Sequence, residues 1–90
     1  MNEAVALIDE RALSKLRWRC RRGLLENDIF IERFFTRYAD TGISITQAEG
    51  LTMLMDLADN DLLDLLLRRK EPDGEIDTAS VREVLSQLRT

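Results

Sequence analysis

The 90-residue chain has no histidine and a single cysteine, Cys20. Histidine is the commonest general acid–base residue and the commonest metal ligand, so its absence removes most routes to catalysis by the chain itself. One cysteine can form neither an internal disulfide nor a zinc site, and its lone thiol indicates a reducing compartment. We therefore expect no disulfide-stapled secreted domain and no metal centre.

Other class-defining signals are also missing. No apolar run reaches the roughly 18 residues of a membrane-spanning helix, and the acidic start MNEAVALIDE is unlike a secretory signal or a transit peptide. The chain has no phosphate-binding loop and no dinucleotide fingerprint. The aspartates between residues 56 and 64 lack the order of an EF-hand loop. These absences predict a cytoplasmic, non-enzymatic protein without membrane insertion.

What remains favours helix. One proline and four glycines leave long stretches uninterrupted, and an apolar fraction of 44% with 33% charged residues is typical of a folded globular chain. No segment shows the alternation of a strand. We expect one compact all-α domain over residues 1–90, with about five short helices and antiparallel neighbours. Residues 1–8 show little amphipathic pattern and are expected to be poorly ordered.

Two helices are predicted on either side of Gly23, a residue type typical of a helix stop. The first spans residues 9–22, with apolar side chains at i, i+3 and i+7: Leu13, Leu16 and Cys20. The second runs from Leu24 or Leu25 to Tyr38, and Gly42 is its expected C-terminal cap. Cys20 falls on the apolar face of the first helix, so we expect a buried thiol.

The third and fifth helices have clear starts. Thr46 and Glu49 are spaced as a capping box before the third helix, whose apolar positions are Leu51, Leu54, Met55 and Ala58. Asp77 or Thr78 is the expected N-cap of the fifth. Its apolar side chains fit the i, i+3, i+4, i+7 template: Val81, Val84, Leu85 and Leu88.

The fourth helix lies between them and carries the sequence LLDLLLRRK. Asp59 or Asn60 is its expected N-cap. Pro72 and Gly74 are expected to end it, because proline cannot continue a helix.

Charge is distributed unevenly along the chain. The net charge is −4, yet residues 11–22 contain six basic residues and no acid. A basic stretch of this kind indicates an acidic or anionic partner. Basic residues late in a helix also complement the helix dipole, so charge alone leaves both interpretations open. On one helix these side chains cannot all point inward, and most are expected to be exposed.

The stretch WRCRRGLLEND joins the first two helices. Arg22 ends one helix and Glu26 begins the next, and each complements the local dipole around the permissive backbone of Gly23. A second interpretation is that the bare glycine lets another molecule approach closely, flanked by a donor and an acceptor. Trp18 lies off the apolar face, and the pattern leaves open whether it belongs to the core edge or anchors a partner.

The residues RGLLE, Arg22 to Glu26, resemble the RGxxE motif of the SdhE family, also called succinate dehydrogenase assembly factor 2. The flanks WRCRRGLLENDIFIERFF and DNDLLDLLLRRKEP are similar to the family's pattern, and the resemblance covers roughly residues 11–88. One departure is Leu65, where the family often has tryptophan. That tryptophan is either a partner contact in relatives or a core position, and leucine suits the second role well.

The resemblance implies a small helical protein that binds the flavoprotein subunit of succinate dehydrogenase or fumarate reductase. Such a protein promotes covalent attachment of FAD to that subunit without catalysing it. It holds no cofactor stably itself and acts on the FAD of its partner. The expected partner surface, with no catalytic residue and no metal ligand, is formed by Trp18, Arg19, Arg21, Arg22, Gly23, Glu26 and Asp28.

Two rival functions come from other classes. An antitoxin or generic adaptor domain differs from an assembly factor only in its partner. Nucleic-acid binding through the basic first helix is disfavoured by the net charge of −4 and the acidic second half. The absence of a heptad seam predicts a monomer, and the family resemblance implies a bacterial protein.

Overall fold

The computed structural model describes residues 6–21 and 25–89. It contains five α-helices and one short 3-10 turn at Gly74–Ile76. The helices are α1 (Glu10–Arg19), α2 (Leu25–Arg37), α3 (Ile45–Met55), α4 (Asp59–Leu66) and α5 (Ala79–Leu88). Within the described ranges the only β-type pairing is an isolated antiparallel bridge between Leu7 and Ser44. The predicted all-α fold of about five helices is confirmed.

Each helix contributes apolar side chains to one core, and the predicted inward positions of α5 are all buried. The fully covered side chains include Phe34, Leu51, Leu54, Leu62, Leu65, Val81 and Val84. Phe34 meets Phe35 edge to face, with ring centroids 5.5 Å apart, a favourable aromatic geometry. Leu65 is 1% exposed, which makes it a core residue of this chain.

The closest helix pair is α3 with α5, and Gly50 lies where they meet. A Cβ placed on Gly50 would lie 2.5 Å from the Ser80 carbonyl oxygen and 2.8 Å from Val84 Cγ1. The missing side chain therefore sets the distance between the two helices.

The start of α3 differs from the predicted one. Ser44 is the N-cap: its Oγ accepts from the Gln47 amide at 3.0 Å, and Gln47 Oε1 accepts from the Ser44 amide at 2.8 Å. The predicted capping box at Thr46 and Glu49 was wrong by two residues. The Ser44 box also lets the Gln47 side chain donate to Gln87 Oε1 on α5 at 2.9 Å.

The first helical connections also differ in detail. Helix α1 ends at Arg19 rather than at residue 22. The Cys20 amide donates to the Leu16 carbonyl at 3.0 Å and the Arg21 amide to the Trp18 carbonyl at 3.2 Å, which closes the helix in a tight last turn. Helix α2 ends one residue before the predicted Tyr38. The Gly42 amide donates to the Tyr38 carbonyl at 2.9 Å with φ +89°, as expected of a C-terminal cap.

The fourth helix begins and ends away from its predicted limits. Ala58 is its N-cap without a side-chain bond, and Asp59 is already helical, so both the predicted Asp59 or Asn60 cap and the placement of Ala58 in α3 were wrong. Asp59 instead stabilises the first turn of α4, because its negative charge interacts favourably with the positive end of the helix dipole. The helix ends at Leu66, well before Pro72. Two residues after that end, Arg68 adopts a left-handed conformation with φ 64°.

Arg89 at the end of α5 holds this early stop in place. Its Nε donates to the Leu65 carbonyl at 2.8 Å, and its guanidinium also reaches the Lys70 carbonyl at 3.2 Å. The Leu65 carbonyl also accepts from the Arg68 amide at 3.2 Å, so Arg89 adds a second donor there and ties the segment after α4 to the end of α5. The predicted Thr78 cap of α5 is confirmed, with its Oγ1 accepting from the Val81 amide at 3.1 Å.

The segment before α1 is tied to the α2–α3 connection. The Ile8 amide donates to the Ile43 carbonyl at 2.9 Å, and the Ile45 amide donates to the Ala6 carbonyl at 3.0 Å. Asp9 then caps α1 by accepting from the Ala12 amide at 2.8 Å. Residues 1–5 lie outside the described residues, and the expected poor order of the N-terminus stays a prediction.

Candidate partner surface at the α1–α2 junction

The predicted site residues lie on the last turn of α1, on the first turn of α2 and in the connection between them. Arg22 and Gly23, the centre of the motif, lie outside the described residues. Whether Arg22 and Glu26 share a face therefore stays a prediction. The other five predicted residues are described, and they divide into an α1 group and an α2 group.

Trp18 is the most distinctive member of the α1 group. Its side chain is 78% exposed. Large aromatic side chains on a surface are typical anchors of protein interfaces, because they bring much apolar area and one hydrogen-bond donor. Trp18 is therefore not a core residue, and its role as a partner anchor stays a prediction.

The arginines of α1 are exposed, as predicted, but they have different neighbours. Arg19 forms an ion pair with Asp56 at the end of α3. The Arg17 guanidinium lies 5.2 Å from the centre of the Phe35 ring, a cation–π distance. Arg19 thus links two helices of its own domain, whereas Arg17 and Arg21 line the space between α1 and α2.

The α2 group is acidic. Glu26 and Asp28 lie in the first turn of α2, where their negative charges stabilise the helix by interacting with the positive end of its dipole. Glu26 is exposed and Asp28 is half-buried. Ile29 follows them with 49% of its side chain exposed, which adds an apolar patch beside the acids.

A groove of about 300 Å³ separates the two groups. It brings together three of the predicted residues, Trp18, Arg21 and Asp28, and its lining includes the buried side chains of Cys20, Ile31 and Phe35. The full lining is Ser14, Arg17, Trp18, Cys20, Arg21, Asp28, Ile31, Glu32 and Phe35. Arginines stand on the α1 wall and carboxylates on the α2 wall, so the groove offers both donors and acceptors to a visiting segment.

Sequence reasoning missed several members of this surface. Glu32 lies four positions after Asp28 on α2, a spacing that was a signal that the two share a face. Arg17 was also missed; it lies on α1, four positions before Arg21. Cys20 is 1% exposed, so the predicted buried thiol is confirmed. Asn27 was also missed: it is completely buried between Glu26 and Asp28, and its Nδ2 donates to the Asp59 carbonyl at 3.3 Å.

The remaining chemistry of the described residues is limited. Across residues 6–21 and 25–89 no cluster of three or more potential ligand side chains could hold a metal ion. In the same part of the chain no helix combines the length and the apolar character needed to cross a membrane.

Comparison with known proteins gives a consistent result. The profile of the family described as Sdh5, flavinator of succinate dehydrogenase, matches residues 14–89. A protein of Ralstonia nicotianae named FAD assembly factor SdhE is 59% identical over 81 residues, covering 90% of this chain and 84% of the relative. Proteins of the same name are 37% identical in Coxiella burnetii, covering 81% of this chain and 88% of the relative, and 26% identical in Pseudomonas aeruginosa, covering 92% and 98%. No solved structure matches the chain.

Proposed function

The chain belongs to the SdhE/Sdh5 family, and from this membership we propose that it engages its client flavoprotein through the surface formed by α1 and α2. It is an FAD assembly factor, a flavinator of succinate dehydrogenase, and not an enzyme. The family resemblance read from the sequence is thereby confirmed. The flavoprotein subunit is its partner, and FAD attached to that subunit is the product of their encounter.

The observation that carries the proposed surface is the pairing of exposed Trp18 with the charged groove beside it. Trp18, Arg21 and Asp28 flank the RGxxE motif in the sequence. An interface of standard size needs about 800 Å² from each partner. The chain has 5811 Å² of accessible surface, so about a seventh of it would suffice.

The groove favours protein recognition over cofactor storage. At about 300 Å³ it lies at the lower limit of small-molecule pockets and is too small to enclose a dinucleotide such as FAD. FAD is thus best regarded as the client's cofactor. The chain's residues supply contact and orientation, and the flavoprotein supplies the reacting atoms.

We extend the client range to the flavoprotein subunit of fumarate reductase, as the sequence resemblance implied, and we propose that the chain acts as a monomer. The residues proposed to contact the client are Trp18, Arg21, Arg22, Gly23, Glu26 and Asp28, with Arg19 in a supporting role through Asp56.

Two variants of the motif test this surface. Gly23→Arg puts a long charged side chain where close approach is needed, and Glu26→Ala removes an exposed acceptor. Glu26→Ala loses a dipole contribution of only about 0.3–1 kcal/mol, so its fold should persist. Both variants should keep most of their thermal stability and lose most of the assisted flavinylation, measured by covalent flavin fluorescence of the client. Folded variants with full activity would refute the proposed surface.

The rival functions predict other outcomes for the wild-type chain. An adaptor or antitoxin would capture a different protein from the native cytoplasm and leave flavinylation unchanged. A nucleic-acid-binding domain would be retained on heparin or DNA, with an affinity that falls steeply as salt rises.

A further inference from the structure

Asn27 is a buried polar residue between two exposed or half-exposed acids of the proposed client surface. Its side chain is 0% exposed, whereas Glu26 and Asp28 on either side face outward to different degrees. Its Nδ2 donates to the carbonyl of Asp59, the first residue of α4, at 3.3 Å. The bond joins the first turn of α2 to the first turn of α4, across 32 positions of sequence.

Stability alone does not account for an asparagine at this position. Its Oδ1 is buried and has no hydrogen-bond partner in the described part of the chain. A buried acceptor without a partner is costly, and apolar side chains of similar shape often replace such groups at little or no loss. The surroundings are helical packing contacts, where an apolar residue is the usual choice.

An apolar residue at this position could not fix the orientation of the first turn of α2. A hydrogen bond constrains both distance and angle, whereas apolar contact tolerates sliding and rotation. The Asn27 bond therefore fixes how the first turn of α2 sits on α4. Glu26 and Asp28 belong to that same turn, so their outward directions are fixed with it.

From this juxtaposition we propose that Asn27 is a positioning residue, which sets where Glu26 and Asp28 meet the flavoprotein by anchoring the start of α2 to the backbone of α4. The proposal rests on the proposed function and adds to it a residue that touches neither client nor FAD. The residues that contact the client and the residue that positions them are thus different residues.

The test is a titration of assisted flavinylation with Asn27→Leu, whose side chain has the branched shape of asparagine without its polar atoms. We expect a melting temperature close to wild type, because the unpartnered oxygen disappears together with the bond. We expect the concentration of factor that gives half-maximal flavinylation to rise about tenfold, corresponding to about 1.4 kcal/mol of binding. The rate at saturating factor should return to the wild-type value, because placement is altered and contact residues are intact.

Two further variants guard against misinterpretation. Asn27→Ala has a side chain small enough to fit the site without a steric clash. Assayed well below its melting temperature, it should show the same rise in half-maximal concentration. Val84→Ala removes buried volume on α5, away from the surface, and should lower the melting temperature without changing that concentration.

Distinct results would overturn the proposal. An unchanged half-maximal concentration for folded Asn27→Leu and Asn27→Ala would show that the bond has no role in recognition. An equal rise in the half-maximal concentration for Val84→Ala would show that the effect comes from lost overall stability and not from the Asn27 bond. If wild type itself failed to promote flavinylation, the proposed function would fall and the positioning role with it.

Discussion

Substituting alanine for Gly50 should force α3 and α5 apart. The new Cβ would stand 2.5 Å from the Ser80 carbonyl oxygen and 2.9 Å from the Ser80 carbonyl carbon, both backbone atoms that cannot rotate away. Val84 Cγ1 at 2.8 Å is a third obstacle, and Val84 is itself completely buried. The two helices must therefore separate, or α5 must shift along its axis.

The expected magnitude follows from two opposed effects. Overpacking of a core costs about 1–3 kcal/mol, and the upper half of that range applies because backbone is obstructed. Alanine regains about 1 kcal/mol of helix propensity over glycine. The net loss should be about 1–2 kcal/mol, and a domain of this size loses about 4–8 °C of melting temperature per kcal/mol.

Urea titration and thermal melting followed by circular dichroism measure this loss directly. Thr52→Ala is a matched control on the same helix, since Thr52 is exposed and the change brings no new contact. Thr52→Ala should be nearly neutral. A Gly50→Ala protein as stable as wild type would show that the helices have slack, and would refute the assignment of Gly50 as the residue that sets their spacing.

Three further predictions follow from local geometry. Arg68→Gly should stabilise the domain by about 0.5–1 kcal/mol, because glycine adopts the left-handed φ of 64° without the Cβ clash of other residues; lower or equal stability in urea titration would contradict this. The Arg82 guanidinium donates to Asp77 Oδ1 at 2.5 Å and lowers the pKa of that carboxyl, so Arg82→Ala should raise the pKa of Asp77 toward its ordinary value in an NMR titration. Since a lowered pKa stabilises the fold only while the carboxyl is ionised, the small stability deficit of Arg82→Ala should shrink as pH falls through the wild-type pKa of Asp77; a deficit that grew in acid would have the wrong sign. Reversing Arg17 and Arg21 to glutamate should slow association with the flavoprotein and flatten its salt dependence in stopped-flow measurements, because exposed charges act mainly on the on-rate; an unchanged on-rate at low salt would exclude steering.

The apolar pattern was sufficient to predict the helices. The start of α3 was mispredicted because the sequence offers two capping boxes there. Ser44 with Gln47 and Thr46 with Glu49 have the same capping-box spacing, and nothing nearby distinguishes them. The Ser44 box is accompanied by a bond from Gln47 to Gln87 on α5, which the local sequence does not reveal. That contact spans 40 positions of sequence, beyond the reach of a local capping rule.

The end of α4 was unpredictable for a similar reason. The residues LLLRRK favour helix, and Pro72 was the nearest stop signal. The chain turns at Arg68 instead, where Arg89 at the end of α5 donates to the Leu65 and Lys70 carbonyls. Arginine in a left-handed conformation has no local signature, so sequence alone could not place this turn.

Several residues that line the groove were predictable from the sequence, whereas buried Asn27 was not. Trp18, Arg21 and Asp28 follow from the motif and its flanks, and they do line one groove. Asn27 is hidden among them in the sequence, and only its burial and its bond to Asp59 distinguish it.

Covalent flavin incorporation into the purified flavoprotein subunit of succinate dehydrogenase, supplied with free FAD, tests the central claim most directly. The subunit would be incubated with and without the purified chain, then denatured, separated and read for flavin fluorescence at the subunit's position. We expect wild-type chain to increase the covalent flavin signal well above the unassisted level, and Glu26→Ala chain, equally folded, to give little increase. Equal signals with and without the wild-type chain would contradict the account.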